Sequence, residues 1–237
     1  MKTCLITGAS RGIGRAIAIE LSYKRGEISK FILVARDIME LENTKRLMSL
    51  SPNIETFVMD QADLKQVEEQ LGIILENNTI DILINCAGFV EPSSLLETTV
   101  ENWESTFTVN VGSVFLITRE IVKKMKSYGG KIINISSTAG LGARPGWSAY
   151  SASKAAIINF SLTLSEELKE YGIKVYCISP GRCATDLRKK LAPDEDPASI
   201  MQPEEIAYVV NNLISKSGNS LDGQNIVVRQ QINEKII

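Results

Sequence analysis

Tyr150 and Lys154 are the residues of this 237-residue chain whose types and spacing most directly suggest chemistry. Four positions apart, they share a face wherever the segment is helical. A free phenol ionises near pH ~10, too high to exchange protons readily at neutrality. A neighbouring ammonium favours the phenolate, which suits a phenol to act as general acid and, in reverse, as general base. Alone, a Y-x-x-x-K pair describes many ordinary helix surfaces. A second feature is Thr7-Gly8-Ala9-Ser10-Arg11-Gly12-Ile13-Gly14. Gly8, Gly12 and Gly14 permit a tight turn and close approach of backbone to a diphosphate. A helix starting near Gly12 would aim free N–H groups and its positive dipole end at that anion.

Composition narrows the chemistry further. The chain contains no histidine, which excludes a Ser-His-Asp triad, a Cys-His dyad and every zinc site needing imidazole. Cys4, Cys86, Cys177 and Cys183 show no C-x-x-C spacing, so no metal site is expected. Three lie in apolar runs and read as reduced core residues; Cys183 falls in a loop near the expected site. Charge is balanced, 26 basic against 28 acidic, giving no reason to expect nucleic-acid or membrane-surface binding. Apolar runs are too short to span a bilayer. The N-terminus reads as a strand leading at once into the glycine segment, which leaves no room for a signal peptide and makes the cytoplasm the expected compartment.

These residues need a scaffold, and the chain alternates β-rich apolar runs with helix-like stretches throughout. Strands are expected at 5–7, 30–35, 54–59, 81–85, 131–135, 174–178 and 225–229. Helices are expected at 15–25, 41–50, 64–76, 100–125, 149–171 and 203–215. Runs such as Phe31-Ile32-Leu33-Val34 are apolar on both faces, as strands covered on both sides must be. The pattern predicts one α/β domain over 1–237, Rossmann-like and doubly wound, with a mostly parallel sheet and helices on both faces. The charged segment 186–202 interrupts it, as either a flap over a ligand site or a plain solvated loop.

The glycine spacing is T-G-x-x-x-G-x-G, and with the motifs that follow it resembles the short-chain dehydrogenase/reductase family, in its short single-domain branch. Asn85-Cys86-Ala87-Gly88 matches the family's N-[AC]-A-G segment, and Asn110 the active-site Asn. Ser137 and the Tyr150–Lys154 pair follow in order, then Pro180-Gly181 and Thr185. The resemblance implies an oxidoreductase that interconverts a carbonyl and an alcohol. In it Tyr150 donates the proton, Ser137 bonds the substrate oxygen, Lys154 also binds the nicotinamide ribose, and Asn110 holds a water. It also implies that Gly8, Ser10, Arg11, Gly12, Ile13, Gly14, Asp60, Asn85, Ala87, Gly88, Pro180, Gly181 and Thr185 contact the cofactor. A homodimer or homotetramer built on the long helices is a further implication.

Cofactor choice is read at the end of the second strand, Val34-Ala35-Arg36-Asp37. An acid there would bond the ribose 2′-hydroxyl and repel a 2′-phosphate. The family's position for that acid falls on Ala35, and Arg36 offers a guanidinium in its place, with Arg11 as a second cation. NADP(H) is therefore expected over NAD(H), with Asp37 pointing away. For the substrate, Arg144, Trp147, Arg182, Arg188, Lys189 and Lys190 frame the expected pocket. They leave open a small-molecule carbonyl, a 3-oxoacyl thioester or a pentulose phosphate. An NADP(H)-sensing protein without catalysis is the reading of another class. Tyr176 stands where relatives usually carry Asn.

Overall fold

The computed structural model describes residues 2–23, 28–49 and 52–230. The expected helix ends at 24–25 and at 50 lie outside them. Seven strands form one sheet in the order β3-β2-β1-β4-β5-β6-β7. They are β1 (Lys2–Thr7), β2 (Ile28–Ala35), β3 (Asn53–Val58), β4 (Ile82–Asn85), β5 (Gly130–Ile135), β6 (Ile173–Pro180) and β7 (Asn225–Val228). Every pairing is parallel. Parallel neighbours need crossover connections, and helices supply them on both faces. They are α1 (Gly12–Ser22), α2 (Ile38–Leu47), α3 (Leu64–Asn77), α4 (Val100–Phe107), α5 (Ser113–Met125), α6 (Ser148–Glu167), α7 (Asp186–Leu191) and α8 (Pro203–Ile214). The expected doubly wound α/β architecture is the one observed.

Alternation within the strands divides the core into two layers. Cys4, Ile6, Phe31, Leu33, Ile133 and Ile178 pack against Ile17 and Leu21 of α1, Leu41 of α2 and Val210 of α8. Their neighbours Leu5, Ile32, Val34, Leu83, Ile132 and Val175 face Val67 and Leu71 of α3 and Ile117 and Ile121 of α5. Both sides of a central strand are thus dry, which is why these runs carry no polar alternation. On the first layer, α1 lies against α8, and Asn211 Nδ2 donates to Glu20 Oε1 at 2.7 Å.

The strand order reverses between β1 and β4, and a crevice opens at their carboxyl ends, as it does at such switch points generally. Two departures from the sequence expectation bear on it. The single helix expected over 100–125 is interrupted by a π-helical turn, Thr108–Gly112, between α4 and α5. The segment 186–202 is neither a plain loop nor loosely tethered. It contains α7 and a 3-10 turn, Pro197–Ser199, and Ala184 N donates to Met201 O at 2.8 Å across its base.

Candidate active site

The glycine segment joins β1 to α1. Gly8 and Gly12 have φ of 67° and 54°, the left-handed region that a side chain would strain. Space is tight as well: a Cβ on Gly8 would lie 2.8 Å from the Ala87 backbone, and one on Gly14 would lie 2.2 Å from Gly8 O. The sequence reading assigned these glycines to close approach of a diphosphate. The structure shows Gly8 and Gly14 making room for the protein's own backbone, while Gly12 faces Thr185. Arg11 occupies the N-cap of α1 in extended conformation and offers no side-chain acceptor to the first turn. The amides of that turn therefore face the crevice with their dipole end uncovered.

Thr7, absent from the expected site, fastens this region. Its buried hydroxyl accepts from Cys86 N at 3.1 Å and Ala87 N at 3.2 Å, tying the end of β1 to the segment after β4. Behind the loop, Arg15 donates to Ser10 O and pairs with Glu40, while its Nε reaches Thr44 Oγ1 at 3.0 Å. Thr44 in turn donates to Ala9 O at 2.9 Å. Glu40 lines the crevice, so this pairing sets a guanidinium against a carboxylate close to Arg36. Arg15 and Glu40 are 25 residues apart, and no local pattern announces such a pair.

The crevice holds a cavity of about 420 Å³. Gly8, Ser10, Arg11, Gly12, Ile13, Gly14, Arg36, Asp60, Ala87, Gly88, Tyr150, Lys154 and Thr185 all line it, as do Lys190, expected around the substrate, and the unforeseen Gln61. Asp37 also borders it, and its carboxylate caps α2 by accepting from Glu40 N at 3.2 Å. Asp60 accepts from Ala62 N at 3.0 Å. Thr185 caps α7, accepting from Arg188 N at 3.1 Å.

Asn85 was expected at the cofactor, and the structure places its side chain within the sheet. It is buried away from the cavity and donates to Asn134 Oδ1 at 2.8 Å and Thr118 Oγ1 at 3.1 Å. It couples β4 to β5 and α5 from inside the sheet and is absent from the residues lining the crevice. Asn110 is also set behind the wall. Its amide donates to Phe89 O and Ser153 Oγ, both at 2.9 Å, and its carbonyl accepts from Phe89 N at 2.7 Å. The π-helical turn presents Asn110 to these partners, as single-turn π-bulges often do near functional sites. Asn110 therefore positions the segment 88–89 and, through Ser153, the helix of Tyr150.

Tyr150 and Lys154 lie on one face of α6, with the Lys154 ammonium 5.7 Å from the Tyr150 ring centroid. Lys154 is buried and donates to Ile135 O at 3.0 Å. Ser136 Oγ donates to Lys154 O at 2.8 Å, fixing the helix to the end of β5. Trp147 packs edge-on against Tyr150, ring centroids 5.7 Å apart. Tyr150 also borders a second cavity of about 120 Å³, which Ser137, Pro180, Gly181 and Thr185 share. Ser137 Oγ accepts from Ala139 N at 3.1 Å, which sets its hydroxyl at the mouth of a 3-10 turn. A Cβ on Gly140 in that turn would lie 2.7 Å from the α6 backbone, so the turn seats directly on the helix that carries Tyr150 and Lys154. Cys183 is buried here, and burial, then the charges of Glu205 and Glu204, push its thiol up to about 12. It is an inert part of the wall.

A doubly wound sheet with a glycine-turned helix at its switch point, and a phenol–ammonium pair beside it, defines a dinucleotide-dependent α/β enzyme. The model of the short chain dehydrogenase family matches residues 2–196. The chain is 34% identical to the 3-oxoacyl-acyl-carrier-protein reductase of Rickettsia prowazekii, over 96% of this chain and 95% of that protein. It is 30% identical to the reductase of the same name from Thermotoga maritima, over 94% of each. Among solved structures it is similar to actinorhodin polyketide ketoreductase with NADPH, at TM-score 0.87 and 25% identity, covering 96% and 95% of the two chains. A short chain dehydrogenase from Burkholderia cenocepacia in complex with NADP gives TM-score 0.85 and 25% identity over 96% of each. The chain belongs to the short-chain dehydrogenase family and is an oxidoreductase.

Proposed function

We propose that this enzyme reduces the carbonyl of a small molecule to an alcohol with NADP(H), Tyr150 Oη giving the proton. The observation that carries this reading is that Tyr150 borders both cavities at once, the large crevice and the smaller one containing Ser137. A carbonyl in the smaller cavity would meet the phenol on one side and the Ser137 hydroxyl on another, while NADPH, when bound in the crevice, supplies the hydride. The Ser137 hydroxyl would stabilise the negative charge that develops on the oxygen. The Lys154 ammonium would favour the phenolate left after proton transfer. Asn110 contributes by holding the 88–89 segment and Ser153 in place.

The cavity residues fit the cofactor. The open first turn of α1 suits its diphosphate, and Arg36 and Arg11, both exposed at the rim, suit a 2′-phosphate. Relatives that carry NADP or NADPH in solved structures support the same choice. The expected result of Tyr150→Phe is loss of turnover by about 100-fold or more, with NADPH affinity within a few-fold of wild type. Preserved turnover would remove Tyr150 from the mechanism. Loss of NADPH affinity together with turnover would make its role structural.

The assembly is a homodimer or homotetramer on this reading, and the compartment cytoplasmic. The half-exposed Trp103 and Phe115, on α4 and α5, support a partner surface there. Among the described residues, no helix is long and apolar enough to cross a membrane. Light scattering that returns a mass near 26.1 kDa would refute the oligomer.

A further inference from the structure

The charged side chains lining the smaller cavity are Arg144, Arg182 and Arg188, and no carboxylate joins them in its wall. Asp186 lines the neighbouring crevice instead. One acid, Glu195, answers two of the three. Arg182 Nη1 donates to Glu195 Oε1 at 2.9 Å, and Arg188 donates from Nε to Oε2 at 2.5 Å and from Nη2 to Oε1 at 2.9 Å. A single carboxylate against two guanidiniums leaves one positive charge. Arg144 adds another: its Nη2 donates to the Thr138 hydroxyl at 3.1 Å, a neutral partner, and it forms no ion pair among the described residues. Thr138 follows Ser137, and Trp147 packs on Tyr150, so Arg144 stands on the same short stretch as the groups that would hold the carbonyl.

Arg144 and Arg182 are exposed at the rim of this cavity, where an entering anion meets them. A planar guanidinium matches a carboxylate or phosphate through two parallel bonds. We infer that the substrate carries an anionic group, carboxylate or phosphate, a short distance from its carbonyl, and that Arg144 is the residue that selects for it. The inference rests on the reductase reading above and names the substrate class of that site. Ser137, Tyr150 and the three arginines line this one cavity, which suits a substrate whose anionic group lies close to its carbonyl, as in an oxo acid or oxo phosphate. All three arginines line the same cavity as Ser137 and Tyr150, which places them beside the carbonyl rather than on a distant docking face.

The test compares matched pairs with the full-length enzyme and NADPH: acetoacetate against methyl acetoacetate, and dihydroxyacetone phosphate against dihydroxyacetone. Acetoacetyl-acyl-carrier-protein is a fifth substrate. The charged member of one pair is expected to exceed its uncharged partner in kcat/KM by roughly 10- to 100-fold, the worth of a charge-assisted contact. Which pair shows the preference distinguishes carboxylate from phosphate. In Arg144→Met the preference should vanish through KM, and in Arg144→Lys it should return in part. Equal turnover of both members, a loss in Arg144→Met that strikes both alike, or activity confined to the carrier-bound thioester would each overturn the inference. Calorimetric binding of the same anions to the enzyme–NADP⁺ complex is read alongside. Anion binding that Arg144→Met abolishes, without turnover of any substrate, would uphold the anion site and sink the reductase reading. Without turnover, anion binding that is absent or unaffected by Arg144→Met would overturn the inference as well.

Discussion

Thr7→Val removes one oxygen and almost no volume, so it isolates what the buried hydroxyl does at the switch point. In the native fold that oxygen accepts from Cys86 N and Ala87 N, at 3.1 and 3.2 Å, and Thr7 itself is 1% exposed. Valine fills the space but leaves two backbone donors facing a methyl group. Each stranded buried donor costs about 1–3 kcal/mol, so with two of them the variant should lose about 2–6 kcal/mol of unfolding free energy. Thr7→Ser keeps the oxygen and loses a methyl, which should cost only about 1 kcal/mol. Urea unfolding at one matched protein concentration measures both, since subunit association would otherwise shift the midpoint. The NADPH dissociation constant should rise in Thr7→Val as well, because Ala87 packs against Gly8 and the two segments form one edge of the crevice. A Thr7→Val stability within 0.5 kcal/mol of wild type (roughly the noise of surface substitutions) would refute the reasoning, as would a larger loss in Thr7→Ser.

Three further outcomes are expected. Arg36→Ala should weaken NADPH binding by roughly 10- to 100-fold while leaving NADH within about threefold, as fluorescence titration would show; equal weakening of both would remove Arg36 from the 2′-phosphate. Tyr176 is fully buried with its hydroxyl unpartnered in the core, so Tyr176→Phe should hold or raise stability by up to about 1 kcal/mol in thermal unfolding. A fall of more than about 1 kcal/mol in that variant would reveal a bond to the hydroxyl that matters. Hydrogen bonds from Arg188, then its charge and Arg182, outweigh burial and hold the Glu195 carboxyl below the usual carboxylate range. Its contribution is therefore complete above the unfolded value of about 4.3 and is lost as pH falls through the lower folded one. The stability gap between wild type and Glu195→Gln should narrow from pH 7 to pH 3, and a constant gap would contradict the pairing.

The parts of this molecule legible in its sequence are those whose cause is local. Phe31 to Val34 read as a doubly covered strand because both of its faces are buried, and hydropathy records that directly. The glycine segment and the Tyr150–Lys154 pair were legible because their spacing carries the geometry. The features that escaped depend on partners far along the chain. The π-helical turn around Asn110 is stabilised through Phe89 and Ser153, 21 and 43 residues away, so the segment 100–125 reads as one helix by periodicity. Asn85 was assigned to the cofactor from its motif, but its partners Thr118 and Asn134, 33 and 49 positions on, draw it into the sheet. The charged segment 186–202 read as either a flap or a solvated loop, and only the folded chain shows Glu195 reaching back to two arginines.

The packing of α1 on α8 has a consequence for how the protein is made. The helix that begins at the glycine turn ends at Ser22, whereas the helix covering it ends at Ile214. A ribosome adding about 5–20 residues per second takes on the order of 10–40 s to deliver that cover. Through that interval Ile17, Ala18 and Leu21, along with the first-layer faces of β1 and β2, have no complete surface to bury against. The cofactor crevice is therefore completed only once α8 has been made, long after the glycines that turn into α1. A chain that stalls after β6 would present this apolar stripe to chaperones and proteases, so quality control of the enzyme is written into the distance between its first helix and its last.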